Sequence, residues 1–151
     1  MLRFTDGTRI VRAVPEDLPA LIRLVRIVNI GDGKDVLTRN FWVAKTPRGK
    51  VIGCCGVAWH GRTVGILTHL AVLPKYRRQG FGMTLFRMAL RDVDLRRKRV
   101  AAFCTMYYHF RRFKREGFKV RRRADLPNDV RGFYQFTAKR YLKCAVMTMD
   151  L

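Results

Sequence analysis

The chain has 151 residues, 48% hydrophobic and 11% aromatic, enough for one globular domain with a proper core and too apolar for a disordered basic tail. Lys and Arg number 32 against 11 Asp and Glu, a net charge of +21, which favours polyanionic neighbours and disfavours polycationic ones. The apolar runs are short and broken by charge, so neither a membrane span nor a leader is expected, and Cys54, Cys55, Cys104 and Cys144 lack metal-ligand spacing, as suits reduced thiols in a cytoplasmic protein.

Arg9 to Val14 reads as a first strand. Pro15-Glu16-Asp17 then opens a helix, with an early proline and two acids that complement its dipole. Leu18, Leu21, Ile22 and Val25 fall at helical spacing and predict its apolar stripe. Residues 29–40 hold Gly31, Gly33 and mixed charge, a loop or a short second helix. Phe41–Lys45, Lys50–Trp59 and Thr63–Leu73 read as three strands joined by short turns, an antiparallel meander. Gly53, Gly56 and Gly65 inside these strands predict bends or close approach of neighbours.

The chain then changes character. After the apolar strand come Pro74, a basic loop with Arg77, Arg78, Gln79, Gly80 and Gly82, and a helix whose apolar face is Leu85, Phe86, Ala89, Leu90 and Val93. Arg96-Arg97-Lys98-Arg99 closes that helix, and Val100–Cys104 is a buried type of strand that fits a crossover and a parallel pair. Met106, Phe110 and Phe113 recur at helical spacing before Gly117-Phe118, and Lys119-Val120 begins another strand. Residues 125–140 mix polar breaks with Phe133, Tyr134 and Phe136 and define no single element; Cys144–Met149 is a last strand.

A glycine-bearing loop that opens a helix is an anion cradle: the backbone approaches closely, unpaired N–H groups face the ligand, and arginines add charge. No third glycine and no Gly-Lys-Ser/Thr follows, which excludes a dinucleotide fingerprint and a Walker loop. Arg77-x-x-Gly80-x-Gly82 after an apolar strand resembles the acetyl-CoA pyrophosphate motif, (Q/R)-x-x-G-x-(G/A), of the GNAT family of N-acetyltransferases. The opening strand with Pro-Glu-Asp, and Phe113 four residues before Gly117-Phe118, are similar to further features of that family.

The resemblance implies a single domain over residues 1–151 with an α/β (α+β) GNAT fold, a mixed and mostly antiparallel sheet of about six or seven strands with a splayed parallel pair, and about four flanking helices. It implies acetyl-CoA as cosubstrate and no metal. Backbone groups of Leu70 and Val72 would pair with the pantetheine arm, in a wedge between the strand ending at Val72 and the one ending at Cys104. Arg77, Arg78, Gln79, Gly80, Phe81, Gly82 and Met83 would hold the pyrophosphate. Plain core packing is the alternative role of the Leu70 and Val72 side chains.

Direct attack on a thioester needs a neutral amine, and a lysine amine with a pKa of about 10.4 is almost wholly protonated at neutral pH. The family often supplies a carboxylate or histidine base, but its position falls near Ile66 and Thr68 here, and no carboxylate occurs from Val51 through Gly82. His69 is the nearby candidate, turned by strand alternation away from Ile66, Thr68 and Leu70, with a packed histidine as its alternative reading. The family's frequent tyrosine acid falls on Phe113, which leaves Tyr107 and Tyr108 as substitutes, or as packed aromatics. Without a dedicated base an α-amine, with a pKa of about 7.7–8.0, is favoured over a lysine side chain. The positive site in turn favours an anionic, amino-acid-like acceptor.

Residues 75–123 carry 17 Lys and Arg against three Asp and Glu. That excess is either a solvated surface or the site of a polyanionic partner, a nucleic acid or an acidic protein. A catalytically weak relative that binds nucleic acid is therefore the competing reading. The chain is expected to be a monomer or a homodimer, away from any membrane.

Overall fold

A computed structural model describes residues 1–105 and 109–151. Among them are eight strands: β1 (Leu2–Arg3), β2 (Arg9–Arg12), β3 (Phe41–Lys45), β4 (Val51–His60), β5 (Val64–Val72), β6 (Val100–Thr105), β7 (Lys119–Arg121) and β8 (Ala145–Asp150). The helices are α1 (Leu18–Ile27), α2 (Phe81–Leu95), α3 (Phe110–Arg115), α4 (Asn128–Arg131) and α5 (Tyr134–Thr137). None of the described helices is long and apolar enough to cross a membrane. The chain gathers into two compact units, Met1–Val57 with Leu67–Asp92, and Ala58–Ile66 with Val93–Leu151.

In the first unit β1, β2, β3 and β4 pair antiparallel in that order. The turn from β2 into α1 is made by Asp17. Its Oδ2 accepts the Val14 N–H at 2.8 Å and its Oδ1 meets Lys45 Nζ at 2.8 Å, with both side chains mostly shielded from water. Pro15–Asp17 is a turn of 3₁₀ helix rather than the first turn of α1. The face that α1 buries is Leu21, Leu24 and Val25, packed with Val36, Phe41, Val43, Cys54 and Ala71. Leu18, expected in that stripe, is 36% exposed because it stands at the helix start, and Leu24 takes the core position instead.

Residues 29–40 form no second α-helix. Gly33 packs on Ile22, Val36 is buried, and only Thr38–Asn40 makes a 3₁₀ turn. In β4, Gly56 is obligatory: a Cβ there would stand 2.6 Å from the Phe41 ring and 2.9 Å from Thr68 Oγ1. The expected close approach is thus real, and Cys54 and Cys55 are both fully buried although they alternate across the strand.

In the second unit β5 runs parallel to β6, with Val64 opposite Val100 and Ile66 opposite Ala102, while β8 pairs antiparallel with β6 and with β7. A Cβ on Gly65 would lie 2.5 Å from Val93 of α2, so glycine lets that helix sit directly on the strand. Residues 125–140, which show no clear period, supply Leu126, Val130, Phe133 and Phe136 to a core with Val64, Ile66, Ala102 and Val146. Helices of four residues are too short to display a 3.6-residue repeat. Arg123 holds this segment: its guanidinium donates to the carbonyls of Phe136, Cys144 and Tyr141.

Candidate functional site

The loop between β5 and α2 lies wholly in the first unit. Leu73 ends the strand by donating its N–H to Ile52 O at 2.9 Å, and Pro74–Tyr76 makes one 3₁₀ turn. Arg77 then folds back, its Nε donating to Val72 O at 2.9 Å. Arg78 (φ +66°) and Gly80 (φ +87°) are left-handed, which curls the chain into the helix start. The carbonyl of Gly80 accepts twice from Thr84, from its N–H at 3.2 Å and from its Oγ1 at 2.9 Å, which closes the first turn. Phe81 is buried with its ring edge-on to Phe4 at 4.6 Å and seats the helix in the core.

Arg77, Arg78, Gln79 and Gly80 are exposed, while Gly82 and Met83 are half-buried. A Cβ on Gly80 would meet nothing within 4 Å, and one on Gly82 only Val72 Cγ2 at 3.6 Å. The N–H groups of Phe81, Gly82 and Met83 belong to the first helical turn, where no carbonyl four residues back lies within the helix. Open space over Gly80, first-turn amides and adjoining guanidinium groups fit a diphosphate. The structure therefore gathers Arg77 through Met83 in one loop, with Leu70 and Val72 half-buried on the strand that leads into it. Thr84 is part of the same construction, and its spacing of four from Gly80 is the signal for it in the sequence.

His69 departs from the simple alternation expected of it. Its φ is +51°, a local kink inside the continuous strand β5. The carbonyls of Thr68 and His69, consecutive in the chain, both accept from thiols of β4, Cys55 Sγ at 3.7 Å and Cys54 Sγ at 3.1 Å. The His69 side chain is only 7% exposed, lies 5.5 Å from the Phe41 ring, and sets Nε2 3.0 Å from Asp35 Oδ1. Facing a carboxylate, Nε2 is the nitrogen that carries the proton. Nδ1 is buried and has no hydrogen-bond partner among the described residues. A carboxylate thus does reach β5, but from residues 29–40, where the sequence shows no motif for it.

Tyr107 and Tyr108 lie outside the described residues. Phe113 is buried, its ring 4.6 Å from that of Phe103. His60 packs edge-on to Phe133 at 5.5 Å in the second unit. Burial pushes the Cys54 thiol up to about 12, the Cys55 thiol well above the ordinary range, and the Cys104 thiol up to about 12, so none is a nucleophile at neutral pH. Among the described residues no group of three or more His, Cys, Asp or Glu could hold a metal ion.

A family model described as an acetyltransferase (GNAT) domain matches residues 38–135. No curated protein matches the chain at a significant level. Among solved structures, Rv2747 from Mycobacterium tuberculosis, in complex with CoA, superposes with a TM-score of 0.77 at 22% identity, covering 95% of this chain and 99% of that one. N-acetylglutamate synthase from Neisseria gonorrhoeae, complexed with coenzyme A and N-acetyl-glutamate, has a TM-score of 0.79 at 18% identity, and this chain spans only 36% of its length. A GNAT-family acetyltransferase from Staphylococcus aureus has a TM-score of 0.75 at 16% identity and covers 96% of this chain and 99% of its own. These structures share the α/β fold, and by the family match over residues 38–135 this chain belongs to the GNAT acetyltransferases.

Proposed function

We propose that the chain is an acetyl-CoA-dependent N-acetyltransferase whose acceptor is a small anionic, amino-acid-like α-amine. The observation that carries this is the loop Arg77–Met83, with its open glycine, first-turn amides and exposed guanidinium groups. Arg77 through Met83 would hold the diphosphate, and Leu70 and Val72 the pantetheine arm. CoA in the solved relatives from M. tuberculosis and N. gonorrhoeae supports the same coenzyme here.

Bound acetyl-CoA supplies a thioester carbonyl open to attack by a neutral amine. The chain's own residues bear on which amine that is. His69 has its Nε2 engaged by Asp35 and its ring nearly enclosed, which favours the packed histidine over the base among its two readings. β5 itself carries no carboxylate, and an amine already partly neutral at physiological pH depends least on a dedicated base, its proton passing to water. An α-amine with a pKa of about 7.7–8.0 meets that need and a lysine at about 10.4 does not. Lys75, Arg77 and Arg78 around the loop repel polyamines and attract carboxylates. N-acetyl-glutamate in the N. gonorrhoeae relative accords with an acidic amino acid.

The test is acetyl-CoA turnover against pooled amines, sorted into α-amino acids, lysine peptides and polyamines, with Gly80→Glu as the control. Turnover with acidic amino acids that is lost in Gly80→Glu is the expected result. A polyamine as best acceptor, or efficient lysine acetylation below pH 7, would overturn the acceptor assignment.

A further inference from the structure

The second unit, Ala58–Ile66 with Val93–Leu151, holds 17 Lys and Arg against five Asp and Glu. Arg77 and Arg78 belong to the first unit and are not part of that excess. So large an imbalance destabilises a compact unit by self-repulsion unless a counter-charge settles on it. We infer that the surface formed by α3 and β7 binds the phosphodiester backbone of a nucleic acid.

Three features place the binding there. Phe113 is the buried residue of α3, packed on Phe103, which leaves Arg111, Arg112, Lys114 and Arg115 exposed. The helix packs beside β7. There Lys119 and Arg121 line an open groove of about 200 Å³ with Thr148 and Asp150, a volume suited to a phosphate group and below that of a drug-sized ligand site. Against these cations stand two carboxylates, Glu116 within residues 111–121 and Asp150 in the groove. Arg123 is excluded from the set, since its guanidinium is spent on three backbone carbonyls.

The composition of this surface selects the class of partner. A folded acidic protein needs a desolvated apolar centre at the interface, and here Val120 is the exposed apolar side chain of β7. A polyphosphate needs only spaced cations, and guanidinium groups match phosphate oxygens in a bidentate way. RNA and DNA share this chemistry.

The experiment is fluorescence anisotropy of the full chain with labelled single-stranded RNA, single-stranded DNA and a duplex of about 20 nucleotides, from about 50 to 200 mM salt. Six phosphate contacts predict a slope of log K against log salt of about −4 on a single strand. Arg111→Gln with Arg112→Gln should reduce that slope by about 1.4 and weaken binding about tenfold at the lower salt. Arg23→Gln with Arg48→Gln, both exposed in the first unit, should change neither. Gly80→Glu should bind nucleic acid as the unaltered chain does, which separates this inference from the coenzyme site. Steep binding to any of the three probes supports the inference, and the tightest arm identifies RNA or DNA. A shallow slope, equal binding to poly-glutamate, or an equal loss in the first-unit variant would overturn it.

Discussion

The guanidinium of Arg77 is tied to the carbonyl of Val72, with Nε donating at 2.9 Å. The arginine of the loop motif therefore does two jobs: one nitrogen closes the loop onto its own strand, and the exposed side chain keeps a positive charge beside the helix start. Arg77→Ala should weaken acetyl-CoA binding about tenfold, or ~1.4 kcal/mol, read by titration calorimetry. Arg77→Lys restores the charge without the directional bond and should recover less than half of that free energy.

Gly80 and Gly82 should respond differently to the same methyl group. Gly80 is at φ +87°, so alanine there is strained by about 1 kcal/mol and places a Cβ in the open space over the loop. Gly82 has no such constraint, and its added Cβ meets only Val72 at ordinary contact distance. Gly80→Ala is expected to lower both thermal stability and coenzyme affinity. Gly82→Ala should keep affinity within about twofold, a contrast that melting curves with and without acetyl-CoA resolve.

Val93 is the neighbour that makes Gly65 necessary. Gly65→Ala should cost about 2–3 kcal/mol, because its Cβ would arrive 2.5 Å from Val93 Cγ1 in a packed helix–strand contact. Adding Val93→Ala removes the obstruction, so the double variant should be more stable than the two single losses sum to, by about 1 kcal/mol or more in urea unfolding.

His69→Asn tests whether the enclosed histidine carries protons for the reaction. Asparagine tolerates the left-handed backbone that His69 adopts at φ +51°. The pH–rate profile of acetyl transfer should keep its shape and midpoint in this variant, with stability lower by about 1 kcal/mol. Loss of an ascending limb would make His69 a participant after all.

Two buried thiols, Cys54 and Cys55, and the half-buried Cys104 predict an alkaline weakness. Cys54 and Cys104 are raised to about 12 and Cys55 well above the ordinary range, in each case chiefly by burial. In the unfolded chain a thiol ionises at about 8.5. Above that pH the unfolded state sheds protons that the folded state keeps, so stability is intact below about pH 8.5 and falls from there toward pH 12. A Cys54→Ala, Cys55→Ala, Cys104→Ala chain should lose less stability between about pH 8 and pH 10 than the unaltered chain. At pH 8 a thiol reagent should leave Cys54 and Cys55 untouched in the folded protein.

The order of the large elements was legible in the sequence because each carries its own period or punctuation: the 3.6-residue stripe of α2, the turns around β3 to β5, and the glycine loop after Val72. Those signals are local, set by backbone sterics and by which face of a helix or strand is apolar. Leu24 in place of Leu18, the core role of Phe133 and Phe136, and the service of Arg123 as a staple rather than a surface charge were decided only in three dimensions. So was the meeting of Asp35 with His69, 34 residues apart. Burial, left-handed backbone and side-chain pairing across distant segments depend on which surfaces the folded chain brings together, and no periodicity within a short window records that.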